Sequence, residues 1–203
     1  MAGALVALAV VGAVVLAVPG AVPGWPGAGD GVRAVLRDGA AGLPGGTGVR
    51  ADGAGDARAD GRVGDDGLTL DDDSHPAVSG LDPALLSAAR AAADAAAADG
   101  VRFRLTSGWR STAYQQHLLD RAVAEHGSYE EARRWVSTPE LSAHVTGDAV
   151  DIGPTDAAYW LAEHGAQFGL CQVYANEVWH YELLTAPGGQ CPALRADGSV
   201  AAP

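Results

Sequence analysis

The sequence contains no lysine. All 13 basic residues are arginine, and 25 acidic residues give the chain a formal net charge of −12. A protein that binds nucleic acid presents a clustered basic face, and these arginines form no such cluster. We therefore exclude nucleic acid as a partner. The acidity itself favours solubility and carries no information about the fold.

Aromatic residues are scarce, at 6% of the chain, and nearly absent between residues 21 and 74. That stretch is rich in glycine, alanine, aspartate and arginine, as in GTGVRADGAGDARADGRVGDDG, and it lacks apolar periodicity. Such a composition cannot bury enough apolar surface to fold. We predict a disordered linker over 21–74. The aspartates at 71–73 indicate solvated charge, because no EF-hand pattern follows them.

Charge is also missing from residues 2–19, an apolar run that is rich in alanine and valine. A run of about 18 residues lies at the border between a signal-peptide core and a membrane-spanning helix. No basic residue precedes it. We interpret residues 1–20 as a signal peptide or an N-terminal membrane anchor and leave cleavage open. Either one predicts export across the cytoplasmic membrane to an extracellular or cell-surface location.

The chain has two cysteines, Cys171 and Cys191. Metal binding by this pair is the competing interpretation, but the spacing is not that of a C-x-x-C knuckle. In an oxidising compartment the pair would close a loop of about 20 residues and stabilise the fold by roughly 3 kcal/mol. We predict a disulfide.

The folded domain is predicted over residues 75–203. Asp82-Pro83 and Gly100 are typical start and stop signals for a helix between them. Further helices are expected over 112–126, 129–136 and 155–164, and strands over 101–106, 148–152 and 178–184. This order indicates an α+β fold, with helices packed on a small, mainly antiparallel sheet.

Two segments carry candidate metal ligands. SAHVTGDAVDIG contains His144 and Asp151, and VWHYELL contains His180 on the strand face opposite the apolar one. Two imidazoles and one carboxylate form a three-ligand set that suits Zn²⁺ and leaves a fourth position for water. Glu177, three residues before His180, could serve as a base. Each residue alone also has an ordinary structural explanation.

These segments resemble the VanY-type D-alanyl-D-alanine carboxypeptidases. SAHVTGDAVDIG fits the S-x-H-x-x-G-x-A-x-D pattern of that family, and EVWHYEL fits its E-x-W-H segment. SGWRST followed by Gln115 fits a third segment, S-G-[YW]-R-S…Q. The three occur in the family order, and the resemblance covers roughly residues 75–190.

The resemblance implies a zinc peptidase of the hedgehog/DD-peptidase-like fold that cleaves the terminal D-Ala-D-Ala bond of peptidoglycan stem peptides. It implies zinc bound by His144, Asp151 and His180. It further implies Glu177 as general base and Arg110 as the residue that stabilises charge on the substrate.

The resemblance also implies that Ser142 and Gln115 hydrogen-bond the peptide substrate. Glu182 shares the face of His180, so we expect it to orient that imidazole or to serve a structural hydrogen bond. Asp148 departs from the family pattern, in which an apolar residue is usual. If it faces the pocket, it would alter substrate preference or repel a terminal carboxylate.

Two alternatives remain open. A peptidoglycan endopeptidase could carry the same zinc and base residues, since the pocket walls choose the substrate. A zinc-holding cell-wall-binding module without catalysis is the other, although it would have no need of Glu177 and Arg110. We expect a monomer in either case.

Overall fold

The computed structural model describes residues 57–199. The predicted signal peptide or anchor at 1–20, and the linker as far as residue 56, lie outside the described residues. Within residues 57–199, no helix combines the length and the apolar character that crossing a membrane requires.

A four-stranded sheet forms the centre of the described domain. Its strands are β1 (Arg104–Ser107), β2 (Ala149–Gly153), β3 (Leu170–Gln172) and β4 (His180–Leu183). They lie in the order β1-β2-β4-β3, and each neighbouring pair is antiparallel. The predicted α+β class with an antiparallel sheet is confirmed. The three-residue β3 has no counterpart among the predicted strands, because it is too short to show an alternating pattern.

Within residues 57–199, six α-helices accompany the sheet. They are α1 (Pro76–Ser79), α2 (Pro83–Ala98), α3 (Thr112–His126), α4 (Tyr129–Ala132), α5 (Ala143–Thr146) and α6 (Thr155–His164), and a 3₁₀ helix follows at Gly165–Phe168. The Asp82 side chain caps α2 by accepting hydrogen bonds from the amides of Ala84 and Leu85. The three longest helices match the predicted ones closely. Local side-chain caps, from Asp82 and Ser111, begin α2 and α3, whereas α6 begins after Pro154 without a side-chain cap. In contrast, α4 covers four residues and not the eight predicted.

The main core lies between α2 and the sheet. Leu85, Ala89 and Ala92 recur at helical spacing, so they lie on one face of α2, and all are buried. They belong to the same cluster as Leu105 of β1 and Tyr181 of β4. The sheet therefore has one face packed on α2, which leaves the opposite face of β2 and β4 for polar side chains.

Packing begins earlier in the chain than the predicted boundary at residue 75. Leu68 forms an antiparallel bridge with Leu105, and Leu70 is buried in the main core. The Arg90 guanidinium holds this segment through the Leu70 carbonyl and the Asp73 carboxylate. For residues 57–74 the prediction of a disordered linker is thus wrong. A few apolar residues anchor a stretch whose average composition is polar.

The predicted disulfide between Cys171 and Cys191 is confirmed. It joins β3 to a segment 20 residues further along the chain, with 5.6 Å between the Cα atoms.

Candidate metal centre and active-site cleft

Three different elements bring the candidate ligands together. Asp151 of β2 lies directly across from His180 of β4 in the antiparallel register. His144 lies on α5, and Gly147 then turns the chain from α5 toward β2 with φ of 84°. A Cβ at Gly147 would also lie 2.3 Å from the Gly80 carbonyl oxygen. Glycine at this place in SAHVTGDAVDIG therefore has a structural reason.

The three side chains present donor atoms at nearly equal separations. His144 Nε2 lies 3.2 Å from His180 Nδ1 and 3.3 Å from Asp151 Oδ1, and His180 Nδ1 lies 3.2 Å from the same oxygen. In a tetrahedral site with bonds of about 2.0–2.1 Å, ligand atoms are about 3.3 Å apart. The donor atoms thus form one face of a tetrahedron of the size that zinc requires, and the residues fit the metal.

Outer hydrogen bonds fix which nitrogen of each imidazole is available. His144 Nδ1 lies 2.8 Å from the Gly108 carbonyl oxygen, which can only accept, so Nδ1 carries the proton and Nε2 holds the lone pair. His180 Nε2 lies 3.1 Å from Glu182 Oε1 and donates to it, which leaves Nδ1 for the metal. Such outer contacts orient metal ligands and raise their basicity.

The electrostatics of the cluster favour a bound cation. Burial, assisted by the charge of Arg110, lowers the pKa of His144, so this imidazole is neutral. Burial alone would raise the pKa of Asp151, but His144, His180 and Arg110 hold it well below its ordinary value. Burial alone would lower the pKa of His180, yet hydrogen bonds that its ring donates to the Asp151 and Glu182 carboxylates raise it to about 9. A buried carboxylate among imidazoles therefore attracts positive charge.

Arg110 is held beside the cluster by three side chains. Its Nε donates to Ser107 Oγ at 2.6 Å, Nη1 to Gln115 Oε1 at 3.0 Å, and Nη2 to Asp151 Oδ2 at 2.9 Å. A guanidinium carries five N–H groups. Three of the five are engaged by these contacts, so the position of the group is fixed.

Gln115 lines the cleft beside Arg110. It is 1% exposed, and its amide is engaged at both ends, by Arg110 and by the Ser137 carbonyl at 2.8 Å from Nε2. It therefore holds Arg110 in position. Ser142 lines the cleft, and its side chain does not cap α5.

Asp148 is exposed and accepts a hydrogen bond from Thr146 Oγ1 at 2.6 Å. It does not line the cleft around the donor cluster. The structure thus places this departure from the family pattern outside the pocket.

Glu177 stands at the edge of the cluster, in the turn before β4. Its Oε2 lies 3.9 Å from His180 Nδ1, beyond hydrogen-bond distance. Burial raises the pKa of Glu177 to about 7, with the Asp151 charge adding to the effect while His180 and Arg110 oppose it. A divalent cation in the cluster would favour the ionised form. Glu177 thus lies beside the three residues that could hold a metal ion and is not one of them.

A cleft of about 200 Å³ opens over these residues. Besides the donor cluster, its walls include Trp135, Ser137, Tyr174 and Trp179. Trp179 precedes β4 and is 38% exposed, so it forms part of the cleft rim and not of the apolar strand face where the alternation placed it. The predicted strand over 178–184 begins two residues too early and ends one residue too late.

Some contacts of the site had no sequence signal. The Gly108 carbonyl acts through the backbone, so no side-chain type reveals it. The Tyr174 ring packs 5.0 Å from that of His180, although no spacing relates the two. Ser107 could have been found, since it stands in SGWRST three residues before Arg110 and both precede α3.

A small antiparallel sheet that presents two histidines and one carboxylate beside a glutamate is typical of zinc peptidases. The family model described as VanY, D-alanyl-D-alanine carboxypeptidase, matches residues 79–185. The chain belongs to this family, which confirms the resemblance drawn from its three segments.

Individual relatives match over part of their length. A D-alanyl-D-alanine carboxypeptidase of Enterococcus faecalis (strain ATCC 700802 / V583) is 35% identical over 116 residues, which cover 45% of this chain and 43% of the relative. This chain therefore spans less than half of that curated relative.

Two solved structures are each 31% identical to the chain. One is the vancomycin resistance D,D-pentapeptidase VanY from a VanB-type resistance cassette in complex with Zn(II), with a TM-score of 0.48 and coverage of 50% of this chain and 71% of that one. The other is VanYB in complex with D-alanine-D-alanine, with a TM-score of 0.49 and coverage of 52% and 72%.

Proposed function

We propose that the protein is a zinc-dependent D,D-carboxypeptidase that removes the terminal D-alanine from peptidoglycan stem peptides. The observation that carries this proposal is the triangle of donor atoms of His144, Asp151 and His180, 3.2–3.3 Å apart, with Glu177 and Arg110 on its border. Family membership supports the same reaction.

In this proposal His144 Nε2, Asp151 Oδ1 and His180 Nδ1 hold zinc. When bound, zinc supplies Lewis acidity that lowers the pKa of a coordinated water to near 7 and polarises a carbonyl. Glu177 accepts the proton of the attacking water and returns it to the leaving D-alanine amine. Its placement beside the cluster, outside ligand distance, suits this role.

Arg110 supplies fixed positive charge. Because Ser107, Gln115 and Asp151 hold its guanidinium, the two remaining N–H groups point from a preorganised position. They stabilise the negative charge that develops on the scissile carbonyl oxygen during attack. Ser142, at the cleft surface, hydrogen-bonds the peptide.

The proposal extends to where the protein acts. A disulfide persists in oxidising compartments, and Cys171–Cys191 supports export of the domain to the cell surface or medium. A cleaved signal peptide or membrane anchor at 1–20 remains a prediction from the sequence. We propose that the exported domain acts as a monomer.

The test is release of D-alanine from a synthetic stem pentapeptide by the full chain, with and without a chelator. The proposal expects release that stops on chelation and resumes with added Zn²⁺. Mass spectrometry of digested muropeptides separates the alternatives. Shortened stems without free D-alanine would indicate an endopeptidase. Zinc-dependent binding to sacculi without any cleavage would indicate a binding module, and either result would overturn the proposal.

A further inference from the structure

The chain continues past the segment that the family model matches, and residues 191–199 cross between two walls of the cleft. We call residues 191–199 the strap. It begins at Cys191, which the disulfide ties to Cys171 of β3. It then runs parallel to the chain at Tyr174, where Arg195 N donates to the Val173 carbonyl at 2.9 Å and Arg195 O accepts from the amide of Ala175 at 2.8 Å. This end of the strap is fixed to the segment that leads into Glu177.

The other end of the strap is fixed to residues 133–137. Three contacts join them: Arg134 Nε to Asp197 Oδ2 at 3.0 Å, Arg133 Nη2 to the Ser199 carbonyl at 2.7 Å, and Ser137 Oγ to the Gly198 carbonyl at 3.2 Å. Asp197 is largely buried, and Ser199 also donates to it from its amide. Residues 135–137 line the cleft, so the strap is attached to a second wall of the same site.

The two walls meet at Gly198. A Cβ built on Gly198 would lie 3.1 Å from Ser137 Oγ and 4.0 Å from Glu177 Oε1. The strap backbone therefore lies close to both the wall at residue 137 and the proposed base. Asn176 Nδ2 donates to the Arg134 carbonyl at 3.0 Å and joins the walls directly. The metal donors, in contrast, are oriented by Gly108, Arg110 and Glu182, all outside the strap.

We propose that the strap is a positioning element, which holds the wall at residues 133–137 and the Glu177 turn at a fixed separation. Catalysis then depends on the strap, whereas metal binding does not. The kinetic part of this inference rests on the proposed peptidase function, and the structural part does not. The disulfide makes the element sensitive to reduction, because it anchors the strap to β3.

The test uses Asp197→Asn and, separately, the Cys171→Ser/Cys191→Ser double variant. Asp73→Asn is the control, since it breaks another arginine–aspartate pair, a more exposed one at Arg90, away from the cleft. Amide hydrogen exchange of the full chain is expected to accelerate in residues 133–137 and 174–177 in both strap variants, and to stay unchanged there in the control.

The kinetic readout separates positioning from general structure. In the strap variants kcat is expected to fall by about 10- to 100-fold, a typical cost of a misplacement near 1 Å, while KM changes less and the zinc dissociation constant equals that of the unaltered chain. Exchange and kcat indistinguishable from those of Asp73→Asn would overturn the inference. Loss of zinc affinity in step with kcat would also overturn it.

Reduction of the unaltered chain provides a second arm that needs no substitution. If circular dichroism shows that a variant does not fold, faster exchange at 133–137 and 174–177 after mild reductant treatment still supports the strap, and unchanged exchange contradicts it. If the unaltered chain releases no D-alanine, the proposed function fails while the exchange data still decide on the strap.

Discussion

The three candidate metal ligands and the proposed general base, Glu177, differ in how the fold holds them in position. His144, Asp151 and His180 lie on α5, β2 and β4, and two of them are direct partners in the sheet. Glu177 is only three residues from His180, yet it lies in an irregular turn whose neighbours are residues 133–137 and 191–199. The two sets of supports meet through Gln115, which contacts both the Ser137 carbonyl and Arg110, and are otherwise distinct. Binding of the metal and turnover should therefore respond largely to different substitutions.

The largest effect is expected from His180→Ala, which removes one corner of the donor triangle. Zinc content should fall to the background of metal analysis and D-alanine release should disappear, because two remaining ligands do not form a zinc site. His117→Ala, a change at an exposed histidine on α3, is the control and should keep both. Full zinc occupancy in His180→Ala would remove this residue from the ligand set.

Glu177→Gln should separate the loss of turnover from the loss of metal binding most clearly. The amide keeps the size of the side chain but cannot accept the proton, so kcat is expected to fall by about 10²- to 10⁴-fold. Zinc content should remain equal to that of the unaltered chain, because Glu177 lies outside the donor triangle. Glu163→Gln, at an exposed position on α6, is the matched control. Near-normal turnover in Glu177→Gln would show that another group is the base.

How much of this difference the sequence predicts depends on how far apart along the chain the interacting residues lie. The metal residues stand in short segments whose spacing, turns and strand alternation are local, so they could be assigned together. The supports of Glu177 come from residues 40 or more positions earlier and 14 or more later, without any pattern that relates them. Gln115 shows the same limit: its type suits substrate binding, and only packing shows that both ends of its amide are engaged.

The prediction of disorder for residues 57–74, drawn from composition, was wrong for a related reason. Residues 57–74 are polar on average, but Leu68 and Leu70 reach β1 and the core, and Arg90, far along the chain, pairs with their acidic neighbours. An average over a window removes the contribution of two well-placed side chains.

Glu182→Gln should have an intermediate effect, and mainly on zinc binding. The carboxylate accepts from His180 Nε2 at 3.1 Å, and its loss leaves a weaker acceptor for that proton. The zinc dissociation constant is expected to rise by about 10- to 100-fold, as is usual for such outer partners, in a competition titration with a chelator. Turnover at saturating zinc should change much less. An unchanged dissociation constant would show that Glu182 does not support the ligand.

Asp148→Ala should have the smallest effect, although the family pattern marks this residue as unusual. The side chain is exposed, its partner is Thr146 of the same turn, and it does not line the cleft. Exposed substitutions of this kind change stability by at most about 0.5 kcal/mol, which thermal unfolding would measure. We expect kcat/KM on the stem pentapeptide to stay within about twofold, because a charge in water is screened over a Debye length of about 8 Å. A clear rise in kcat/KM would mean that the carboxylate repels the terminal carboxylate of the substrate after all. It would then belong to the walls of the cleft, which choose the substrate, and not to the turn between α5 and β2.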